Sequence, residues 1–567
     1  MHNILQKYYN YVLLFFLGLI SMNSHGFDRV TGEDFTSRSE VIAAHGMVAS
    51  SHPLATQIGL EILKQGGSAV DAAIAVNAAL GLMEPTGNGI GGDLFAIVWD
   101  AKSKKLYGLN ASGPAPKKLS LEYFQENNLS EYPEFGPLPV TVPGAVAGWS
   151  ELHKKFGKLP IDHLFKPTIA YAREGFPVTE TIAYYFALNK QRFQDYPNFK
   201  EVWMANGDVP KTGEIFKNPA LGNTLETLAD KGLSEFYTGD IARITADFIQ
   251  AQGGFLSYDD LAGYRPEWVQ PISTDYRGYE VWELPPNTQG LATLQILNIL
   301  EGFNLAELGL YSTEYIHLFI EAKKLAFADR AKFYADPRFA KLPIETLLSK
   351  DYATKRRQEI NPKKAALVDA SGLPQHGDTV YLTTADQDGN MVSLIQSNYS
   401  GMGSGMTPPD LGFMLQNRGT LFSLDPKHLN VVAGGKRSFH TIIPAFVTKD
   451  GNPYISFGVM GGATQPQAQA QVLINIIDFG MNLQEAGDAP RIVHSGSSQP
   501  SGSQMKNGGT VSLESTFDEK IRKELVEMGH TLKYEKGSFG GYQAIMKKNG
   551  VYYGASESRK DGQAAGY

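Results

Sequence analysis

The stretch QHGDTVYLTTADQDGNMVSL, residues 375–394, has the pattern of two β-strands joined by a tight turn. Side chains of alternating character run through residues 379–384, which is the period of a half-buried strand. Asp388-Gly389 is a typical turn pair, and the run that begins at Met391 predicts the returning strand. The stretch therefore predicts a β-hairpin whose first strand begins at Thr379, directly after a loop-like His-Gly-Asp approach.

Thr379 has two interpretations. In the first it is simply the first residue of a strand. In the second it is a nucleophile, because a threonine at a chain N-terminus can pass its hydroxyl proton to its own α-amino group. That amine has a reference pKa of about 8, so much of it is unprotonated at neutral or mildly alkaline pH. Since Thr379 lies in mid-chain, the second interpretation requires cleavage of the Asp378–Thr379 bond.

The composition is that of a globular protein with a large core. The chain has 567 residues, of which 42% are hydrophobic and 19% charged. A net charge of −8 and the lack of a long Lys/Arg run argue against nucleic acid or an anionic membrane as a partner. The chain has no cysteine, which excludes thiol catalysis, iron–sulfur clusters and cysteine-bound zinc, and leaves stability to the core.

The N-terminus has the three-part pattern of a secretory signal peptide. Lys7 precedes the apolar residues 11–20, and small or polar residues follow up to Gly26. We therefore assign residues 1–26 as a signal peptide cleaved near Ser24 to Gly26. An uncleaved signal anchor is the alternative, but the apolar run is short for a bilayer span. The prediction is a periplasmic or secreted protein with no stable membrane span after signal removal.

The rest of the chain predicts a layered α+β architecture without independent domains. Residues 51–85 have the pattern of two helices, the first capped by Ser51 and ended by Gly66-Gly67, and a strand follows at 94–99. Residues 145–335 are predicted to be mostly helical, with loops near 205–220 and 285–290. Strands and glycine-rich turns dominate after residue 375. The predicted strands are 379–385, 391–397, 441–447 and 453–458 with a hairpin near 542–553, and the predicted helices are 465–479 and 517–528.

Two segments could suggest a ligand site but have simpler interpretations. The glycine cluster at 86–93 follows a helix and opens a strand, the reverse of a dinucleotide fingerprint, so we expect a turn or a backbone-lined pocket. The predicted helix at 312–336 is rich in charged side chains, for which we expect a solvated or packing face rather than a catalytic cluster. The charged residues are Glu321, Lys323, Lys324, Asp329 and Arg330.

Other catalytic classes have little support in the sequence. The twelve histidines are scattered and no His-Glu-x-x-His motif occurs, so we predict no metal site and no cofactor. No Gly-x-Ser-x-Gly motif presents a serine nucleophile. A Ser-His-Asp triad stays open, because such triads assemble from distant positions.

A series of motifs in fixed order resembles the γ-glutamyltransferase (γ-glutamyltranspeptidase) family. The match begins near residue 46, includes the segment around Thr379 and ends at the C-terminal Gly-Tyr. The matching segments are residues 46–56, 66–73, 89–95, 142–148, 321–330, 377–381, 386–390, 403–405, 435–437, 461–462 and 554–567.

The resemblance implies an N-terminal-nucleophile hydrolase with an αββα sandwich, in which two β-sheets lie between helical layers. Self-cleavage before Thr379 would leave a large subunit, residues 27–378, and a small subunit, residues 379–567, folded together; further oligomerisation stays open. Thr379 would attack a γ-glutamyl amide and form an acyl-enzyme, and the acyl group would pass to water or to an amino acid or peptide. Gly461 and Gly462 would supply the backbone N–H groups of the oxyanion hole, although a plain turn is the alternative for this pair.

This chain departs from the glutathione-cleaving members at the positions that hold the amino-acid end of the substrate. Where they have an arginine for the α-carboxylate, residues 110–116 have none and offer Ser112. Where they have an acid for the α-amino group, this chain has Asn417-Arg418 and then Leu421, and Arg418 could replace the missing arginine. The segment 423–435 is also short, as in a divergent, lid-less branch with an open site. The expected substrate-binding residues are Ser112, Ser397, Asn398, Asn417, Arg418, His440 and Thr441, the last two standing where those members have a serine pair.

Three functions remain open from the sequence. The first is a self-processing, exported γ-glutamyl hydrolase or transferase for glutathione or related compounds. The second is an acylase for another amide, glutaryl-like or peptide. The third is a homologue that binds acyl compounds or cell-wall peptides without turnover, against which the intact Thr379 and Gly461-Gly462 argue.

Overall fold

The computed structural model describes residues 30–33, 35–367 and 378–567, with only the backbone for Asp378. The predicted signal peptide, residues 1–26, and the His-Gly pair before Asp378 lie outside these residues. Glu40–Tyr567 form one compact unit. The strands are β1 (Val41–Ala43), β2 (Met47–Ser50), β3 (Asp93–Asp100), β4 (Lys105–Ala111), β5 (Phe176–Pro177), β6 (Ile215–Phe216), β7 (Glu267–Val269), β8 (Ile272–Tyr276), β9 (Tyr279–Glu283), β10 (Asp378–Ala385), β11 (Met391–Tyr399), β12 (Ala445–Lys449), β13 (Asn452–Met460), β14 (Ile492–Ser495), β15 (Thr510–Leu513), β16 (Gly541–Lys548), β17 (Val551–Ser556) and β18 (Gln563–Gly566).

The helices fall mostly in the first two thirds of the chain. They are α1 (Pro53–Lys64), α2 (Ala69–Met83), α3 (Leu121–Glu126), α4 (Ala145–Phe156), α5 (Ile161–Glu174), α6 (Glu180–Phe193), α7 (Phe199–Trp203), α8 (Pro219–Lys231), α9 (Glu235–Thr238), α10 (Asp240–Ala251), α11 (Tyr258–Ala262), α12 (Gly290–Leu300), α13 (Leu305–Leu308), α14 (Thr313–Phe333), α15 (Ile344–Leu348), α16 (Lys350–Gln358), α17 (Gln465–Ile477), α18 (Leu483–Asp488) and α19 (Glu519–Glu527). Among the described residues, none of these helices has both the length and the apolar character needed to cross a bilayer.

Two seven-stranded antiparallel sheets form the centre of the molecule. The first sheet has the order β18-β2-β10-β11-β3-β4-β7, and the second has the order β1-β17-β16-β13-β12-β9-β8. Strands from before and after residue 378 are mixed in both sheets. In the first sheet β2 pairs on one side with β10 and on the other with β18, so a strand of the predicted large subunit lies between two strands of the predicted small subunit.

The two sheets pack face to face, and helices cover their outer faces. Between the sheets the Thr383 and Ser456 hydroxyls lie 2.7 Å apart. Gly458 allows the close approach there, because a Cβ atom at its position would lie 2.4 Å from the Tyr381 ring. Helix α2 is buried along its whole length against the other face of the first sheet, while α12 and α17 cover the second sheet. This arrangement confirms the predicted αββα sandwich.

The local predictions were confirmed in part. The helical pair α1–α2 and the hairpin β10–β11 are present, with Gly389 at φ 91° in the turn. The half-buried pattern of the first strand was wrong: β10 lies inside the sandwich, and the described side chains from Thr379 onward are buried on both faces. The N-cap of α1 is His52, whose Nδ1 accepts from Leu54 N, rather than Ser51.

Two strand predictions were also corrected, and one open alternative was resolved. Strands β7, β8 and β9 lie in the region predicted to be mostly helical, where they complete one edge of each sheet. Strand β12 begins at Ala445 rather than at residue 441. The charged side chains of α14 form a packing face and not a solvated one, because Glu321, Lys323, Lys324, Asp329 and Arg330 are all buried.

Candidate active site

Thr379 lies at the start of β10, where the pairing with β11 is irregular. Asp378 pairs with Tyr399 and Val380 pairs with Gln396, so the register shifts at Thr379. Such a bulge bends a strand and re-aims the side chain at that point. The Thr379 side chain is buried, and its Oγ1 donates a hydrogen bond to Ser397 Oγ over 3.3 Å. The predicted nucleophile is therefore held at the end of a rigid central strand.

A chain of contacts connects Thr379 with several predicted substrate-binding residues. Ser397 Oγ also accepts from Tyr399 N over 2.7 Å. The Arg418 guanidinium lies 4.7 Å from the centre of the Tyr399 ring, and its Nη1 donates to Thr441 Oγ1 over 2.7 Å. The structure thus brings Thr379, Ser397, Arg418 and Thr441 into one group.

Arg418 is a fully buried cation with free donor capacity. No described residue accepts a hydrogen bond from its Nε or Nη2. Burial lowers the pKa of Arg418 to about 10, opposed by the nearby Asp93 and Tyr399, so the side chain is cationic at neutral pH. Two unused N–H donors on one guanidinium fit a carboxylate. Arg418 can therefore recognise a negatively charged end of a ligand.

Asn398 and Asn417 hold the loops beside this group. Asn417 Oδ1 accepts from Ser400 N over 3.1 Å, and its Nδ2 donates to Glu134 O over 2.9 Å. The Asn417 N–H donates to Asn398 O over 3.3 Å. The buried Asn398 Oδ1 has no donor partner among the described residues, so it is available to a ligand N–H.

His440 is fixed by a buried carboxylate that the sequence analysis did not assign. Its Nε2 lies 3.0 Å from Asp93 Oδ2, while Asp93 Oδ1 accepts from the backbone N–H groups of Gly113 and Gly144. Burial lowers the pKa of His440 well below its usual value, and burial raises the pKa of Asp93 to about 7, opposed by Arg418. A neutral His440 with its proton on Nε2 donates to Asp93, which orients the segment that contains Thr441.

The contacts of Ser112 differ from those expected of a substrate clamp. Its hydroxyl donates to Asn110 Oδ1 over 2.7 Å and accepts from Asn287 Nδ2 over 3.3 Å. Its carbonyl oxygen accepts from Arg437 Nε over 2.9 Å. These contacts tie Ser112 to the loop of Asn287 and not to the Thr379–Arg418 group. Substrate binding by Ser112 stays a prediction.

Gly461 and Gly462 form the turn between β13 and α17. Their φ angles are 122° and 54°, values that favour glycine. The Gly461 carbonyl accepts from Thr464 N over 3.0 Å, and the Gly462 carbonyl accepts from Gln289 Nε2 over 2.8 Å. The same Gln289 Nε2 donates to Thr441 O over 2.6 Å, which links this turn to the Arg418 side of the site.

Sequence reasoning missed the roles of Asp93, Gln289 and Tyr399. Asp93 ends the glycine cluster at 86–93, and an acidic residue at the start of an apolar strand was an available signal. Tyr399 adopts φ 82°, which is rare for a non-glycine residue but invisible in the sequence. Gln289 gave no signal, because its importance depends on the position of α12 beside the Gly461-Gly462 turn.

His317, Glu321 and His530 lie close enough to one another to suggest a metal site. Their atoms are already engaged, however: His317 Nδ1 and His530 Nε2 share a hydrogen bond of 2.8 Å, and Glu321 Oε1 accepts from Lys324 Nζ over 2.8 Å. Glu321 Oε2 accepts from Ala366 N over 3.1 Å. A lysine ammonium beside the group also opposes a cation. We interpret the cluster as a brace for the segment around Ala366.

Comparison with known proteins gives this geometry a family. The family model described as gamma-glutamyltranspeptidase matches residues 55–567. A cephalosporin acylase from Bacillus halodurans is 45% identical with a TM-score of 0.87, over 96% of this chain and 99% of that chain. A glutathione hydrolase-like proenzyme of Bacillus subtilis (YwrD) is 36% identical over 93% of this chain and 99% of its own length. An oxamate amidohydrolase proenzyme of Klebsiella pneumoniae is 35% identical over 93% of this chain and 100% of its own length. The chain therefore belongs to the γ-glutamyltranspeptidase family and is an enzyme of the N-terminal-nucleophile amidohydrolase type.

Proposed function

We propose that the protein is a self-processing amidohydrolase that uses Thr379 to cleave amides whose acyl group ends in a carboxylate. The observation that carries this proposal is the buried chain of contacts from Thr379 through Ser397 and Tyr399 to Arg418. It places a hydroxyl at the end of a rigid strand and a cation with unused donors in the same group. The description of relatives as proenzymes supports the self-processing step.

Processing and catalysis use the same hydroxyl. In the precursor, Thr379 Oγ1 would attack the Asp378 carbonyl carbon, and the C–N bond would break, which turns the amide into an ester and frees the Thr379 α-amine with the hydroxyl proton. Water would then hydrolyse that ester to leave the Asp378 carboxylate and the free Thr379 hydroxyl. In the mature enzyme that amine would take the proton from Thr379 Oγ1 as Oγ1 attacks the substrate carbonyl. Gly461 and Gly462 N–H groups would bind the oxyanion. Collapse of the tetrahedral intermediate would expel the amine of the substrate, which takes the proton from the Thr379 α-amine. Water, or an amino acid or peptide acceptor, would then take the acyl group from Thr379.

The acyl group has two candidate structures, and both end in a carboxylate. A γ-glutamyl donor follows from the family, and Arg418 would then hold its α-carboxylate in place of the arginine absent from residues 110–116. A glutaryl-like donor without an α-amino group is favoured by a specific observation. The family resemblance implies an acid for that amino group in the segment 416–421, and this chain has none there, with Leu421 buried at its end. Resemblance to a cephalosporin acylase also supports the second candidate.

A denaturing gel tests the nucleophile. We expect two bands that correspond to cleavage at Asp378–Thr379, and a single full-length band for Thr379→Ala. Thr383→Ala is a matched control, because Thr383 is a buried threonine on the same strand whose Oγ1 contacts Ser456 in the other sheet. That variant should still be cleaved. A full-length wild-type chain, or a cleaved Thr379→Ala chain, would exclude the assignment.

Two chromogenic anilides distinguish the candidate substrates. A γ-glutamyl anilide and a glutaryl anilide present the same terminal carboxylate and differ in the α-amino group. We expect the glutaryl compound to have the larger kcat/KM, because the segment that ends at Leu421 has no acid to hold an α-amino group. A preference for the γ-glutamyl compound would instead assign the enzyme to the first candidate, and turnover of neither would overturn the proposed substrate class.

We also propose that the enzyme acts outside the cytoplasm, in the periplasm or as a secreted protein. The support is the signal-peptide pattern of residues 1–26. Cell fractionation tests this, and retention of the full-length chain in the cytoplasm would contradict it.

A further inference from the structure

Gln289 is a buried amide whose donor and acceptor groups all have partners near the proposed site. It immediately precedes α12 and has no exposed surface. Its Nε2 donates to Thr441 O over 2.6 Å and to Gly462 O over 2.8 Å. Its Oε1 accepts from Arg330 Nη1 over 2.5 Å. One side chain therefore connects two backbone segments that come from different parts of the site.

Arg330 determines which way round this amide sits. A guanidinium can only donate, so it requires the oxygen of Gln289 and leaves the NH₂ group to face the two carbonyls. Arg330 is itself held, because its Nη2 donates to Gln499 Oε1 over 2.5 Å and its guanidinium lies 3.7 Å from the centre of the Phe327 ring. The orientation of the Gln289 amide is therefore fixed by a buried residue from α14.

The bond to Gly462 has a particular consequence for the oxyanion hole. Glycine pairs can rotate their peptide groups at little steric cost. Here Thr464 N holds the Gly461 carbonyl, and Gln289 holds the Gly462 carbonyl. The Gly461 carbonyl and the Gly462 N–H belong to one peptide group, so the bond from Thr464 N fixes the direction of that N–H. The Gly462 carbonyl, which also accepts from Gln465 N, belongs to the next peptide group. Gln289 therefore holds the peptide group on the other side of Gly462, and Gly462 cannot rotate freely between two held peptide groups. Donors that are fixed before the reaction stabilise a developing charge without reorganising.

The bond to Thr441 extends this control to the substrate side. Thr441 Oγ1 accepts from Arg418, so the backbone that Gln289 holds also supports the proposed carboxylate-binding group. Gln289 thereby sets the distance between the oxyanion turn and the segment beside Arg418. Strands β12 and β13 separate Thr441 from the Gly461-Gly462 turn in the sequence.

We propose that Gln289, oriented by Arg330, is a positioning residue that fixes the Gly461-Gly462 turn for oxyanion binding. This inference rests on the proposed function of Thr379. Gln289 contacts only protein groups and acts through the turn. Its loss should therefore lower kcat, which reports transition-state stabilisation, much more than it raises KM.

The test compares Gln289→Glu and Gln289→Met with Gln295→Ala. Glutamate keeps the shape and the bond to Arg330 but loses the two donors, and methionine keeps the volume without any hydrogen bond. Gln295 is the matched control: it is buried on α12, its Nε2 donates to Asp329 over 2.9 Å, and its Oε1 accepts from Tyr334 over 2.7 Å. All are assayed after complete cleavage, with the anilide that the wild type turns over.

We expect kcat to fall about 10- to 100-fold in both Gln289 variants, with KM within about threefold of the wild type. A carboxylate-bearing boronic acid, which forms a tetrahedral adduct with a nucleophilic hydroxyl, should bind more weakly by a similar factor. Gln295→Ala should keep kcat within about twofold of the wild type, even if its Tm falls as far as the Tm of the Gln289 variants. An unchanged kcat in both Gln289 variants, or an equal loss in Gln295→Ala, would overturn the inference while leaving Thr379 in place. An inactive, uncleaved wild type would overturn the proposed function and this inference with it.

Discussion

Arg418 shows how one residue can distinguish this chain from glutathione-cleaving relatives. The sequence has it next to Asn417 where those members bind the amino group, and the structure buries it beside Tyr399 with Nε and Nη2 unused by the described residues. The group around Thr379 therefore contains a positive charge, three residues before Leu421, which stands where the resemblance implies an acid in the glutathione-cleaving members. This charge should favour an anionic acyl end and disfavour a nearby ammonium group.

The first prediction concerns this charge. Arg418→Gln should raise the KM for the glutaryl anilide about 10- to 100-fold, the equivalent of a charged hydrogen-bonding contact of roughly 1.5–3 kcal/mol. Arg418→Lys keeps the charge without the bidentate geometry, so its KM for the glutaryl anilide should lie between those of the wild type and Arg418→Gln.

The control for this prediction is a pentanoyl anilide, which has the same length but no carboxylate. Its kinetics should be the same in all three proteins, within about twofold. If Arg418→Gln raises the KM for the pentanoyl anilide as much as the KM for the glutaryl anilide, then Arg418 supports the site structurally and does not bind the acyl carboxylate.

The sequence could predict single residues where a motif is continuous and not where a contact joins distant segments. Thr379 lies in a recognisable motif, Ser397 and Arg418 were expected substrate-binding residues near such motifs, and the structure brings the three together. Ser112 was selected by position in a motif, but its hydroxyl is engaged by Asn110 and Asn287. Gln289 was missed because its partners, Thr441 and Gly462, lie more than a hundred residues away.

At the scale of elements, the glycine cluster before β3 decides how closely β11 can approach. A Cβ atom on Gly92 would lie 2.5 Å from Ser397 O and 2.5 Å from Asn398 Oδ1. Ser397 is the residue that accepts from Thr379, so the end of β11 can only reach its position beside a glycine. The cluster is therefore a close-packing device, in line with the expected turn.

The second prediction follows from this contact. Gly92→Ala should displace the end of β11, lower the free energy of unfolding by about 1–3 kcal/mol, and reduce self-cleavage and turnover at least tenfold. Gel analysis, urea unfolding and the anilide assay measure these three effects.

Gly81→Ala is the matched control on helix α2. A Cβ atom there would meet Gly89 Cα at 3.5 Å, an ordinary contact, and alanine favours a helix interior by about 1 kcal/mol over glycine. This variant should be as stable as the wild type or more stable, and fully active. Similar losses in both variants would show that the cluster is sensitive to any added methyl group and that the contact with Ser397 is not special.

Elements were predictable where the local pattern and the tertiary environment agree. The pair α1–α2 has Pro53 in the first turn of α1, the capping Ser68 before α2, and two glycines between the helices. Strands β7 to β9 were missed because they are short, at three to five residues, and their burial patterns are irregular at the sheet edges. The alternation in β10 suggested a half-buried strand. Thr383 and Thr384 are nevertheless buried, because their hydroxyls have hydrogen-bond partners in Ser456 and Ala69.

At the scale of the whole molecule, several histidines are buried and neutral. Burial lowers the pKa of His52 to about 4, opposed by Asp561, and burial lowers the pKa of His530 to about 3. Burial also lowers the pKa values of His440 and His494 well below the usual value. In the unfolded chain these groups take up protons near pH 6.5, so acid should stabilise the unfolded state.

The third prediction is a loss of stability on acidification. For His52 the folded pKa is depressed, so its contribution is complete above pH 6.5 and is lost as the pH falls toward 4. This loss amounts to about 3 kcal/mol between pH 7 and pH 4. Urea unfolding of the uncleaved Thr379→Ala chain measures it without separation of subunits.

His52→Asn in the same background provides the comparison, because asparagine can also cap helix α1. Its free energy of unfolding should fall by about 3 kcal/mol less over the same pH range. Equal pH dependence in the two proteins would show that His52 is not a source of the acid sensitivity.

Both sheets contain strands of the two predicted subunits, and this affects how the enzyme folds before and after cleavage. Strand β2 lies between β10 and β18, and both sheets combine strands from the two sides of Asp378. Cleavage at Asp378–Thr379 would turn a one-chain folding reaction into a two-chain one, whose rate depends on concentration. After unfolding, the precursor would keep all of its strands on one chain, whereas the two chains of the mature enzyme would have to associate again while exposing apolar strand edges. The useful lifetime of the mature enzyme should therefore be set by how slowly it unfolds rather than by its equilibrium stability.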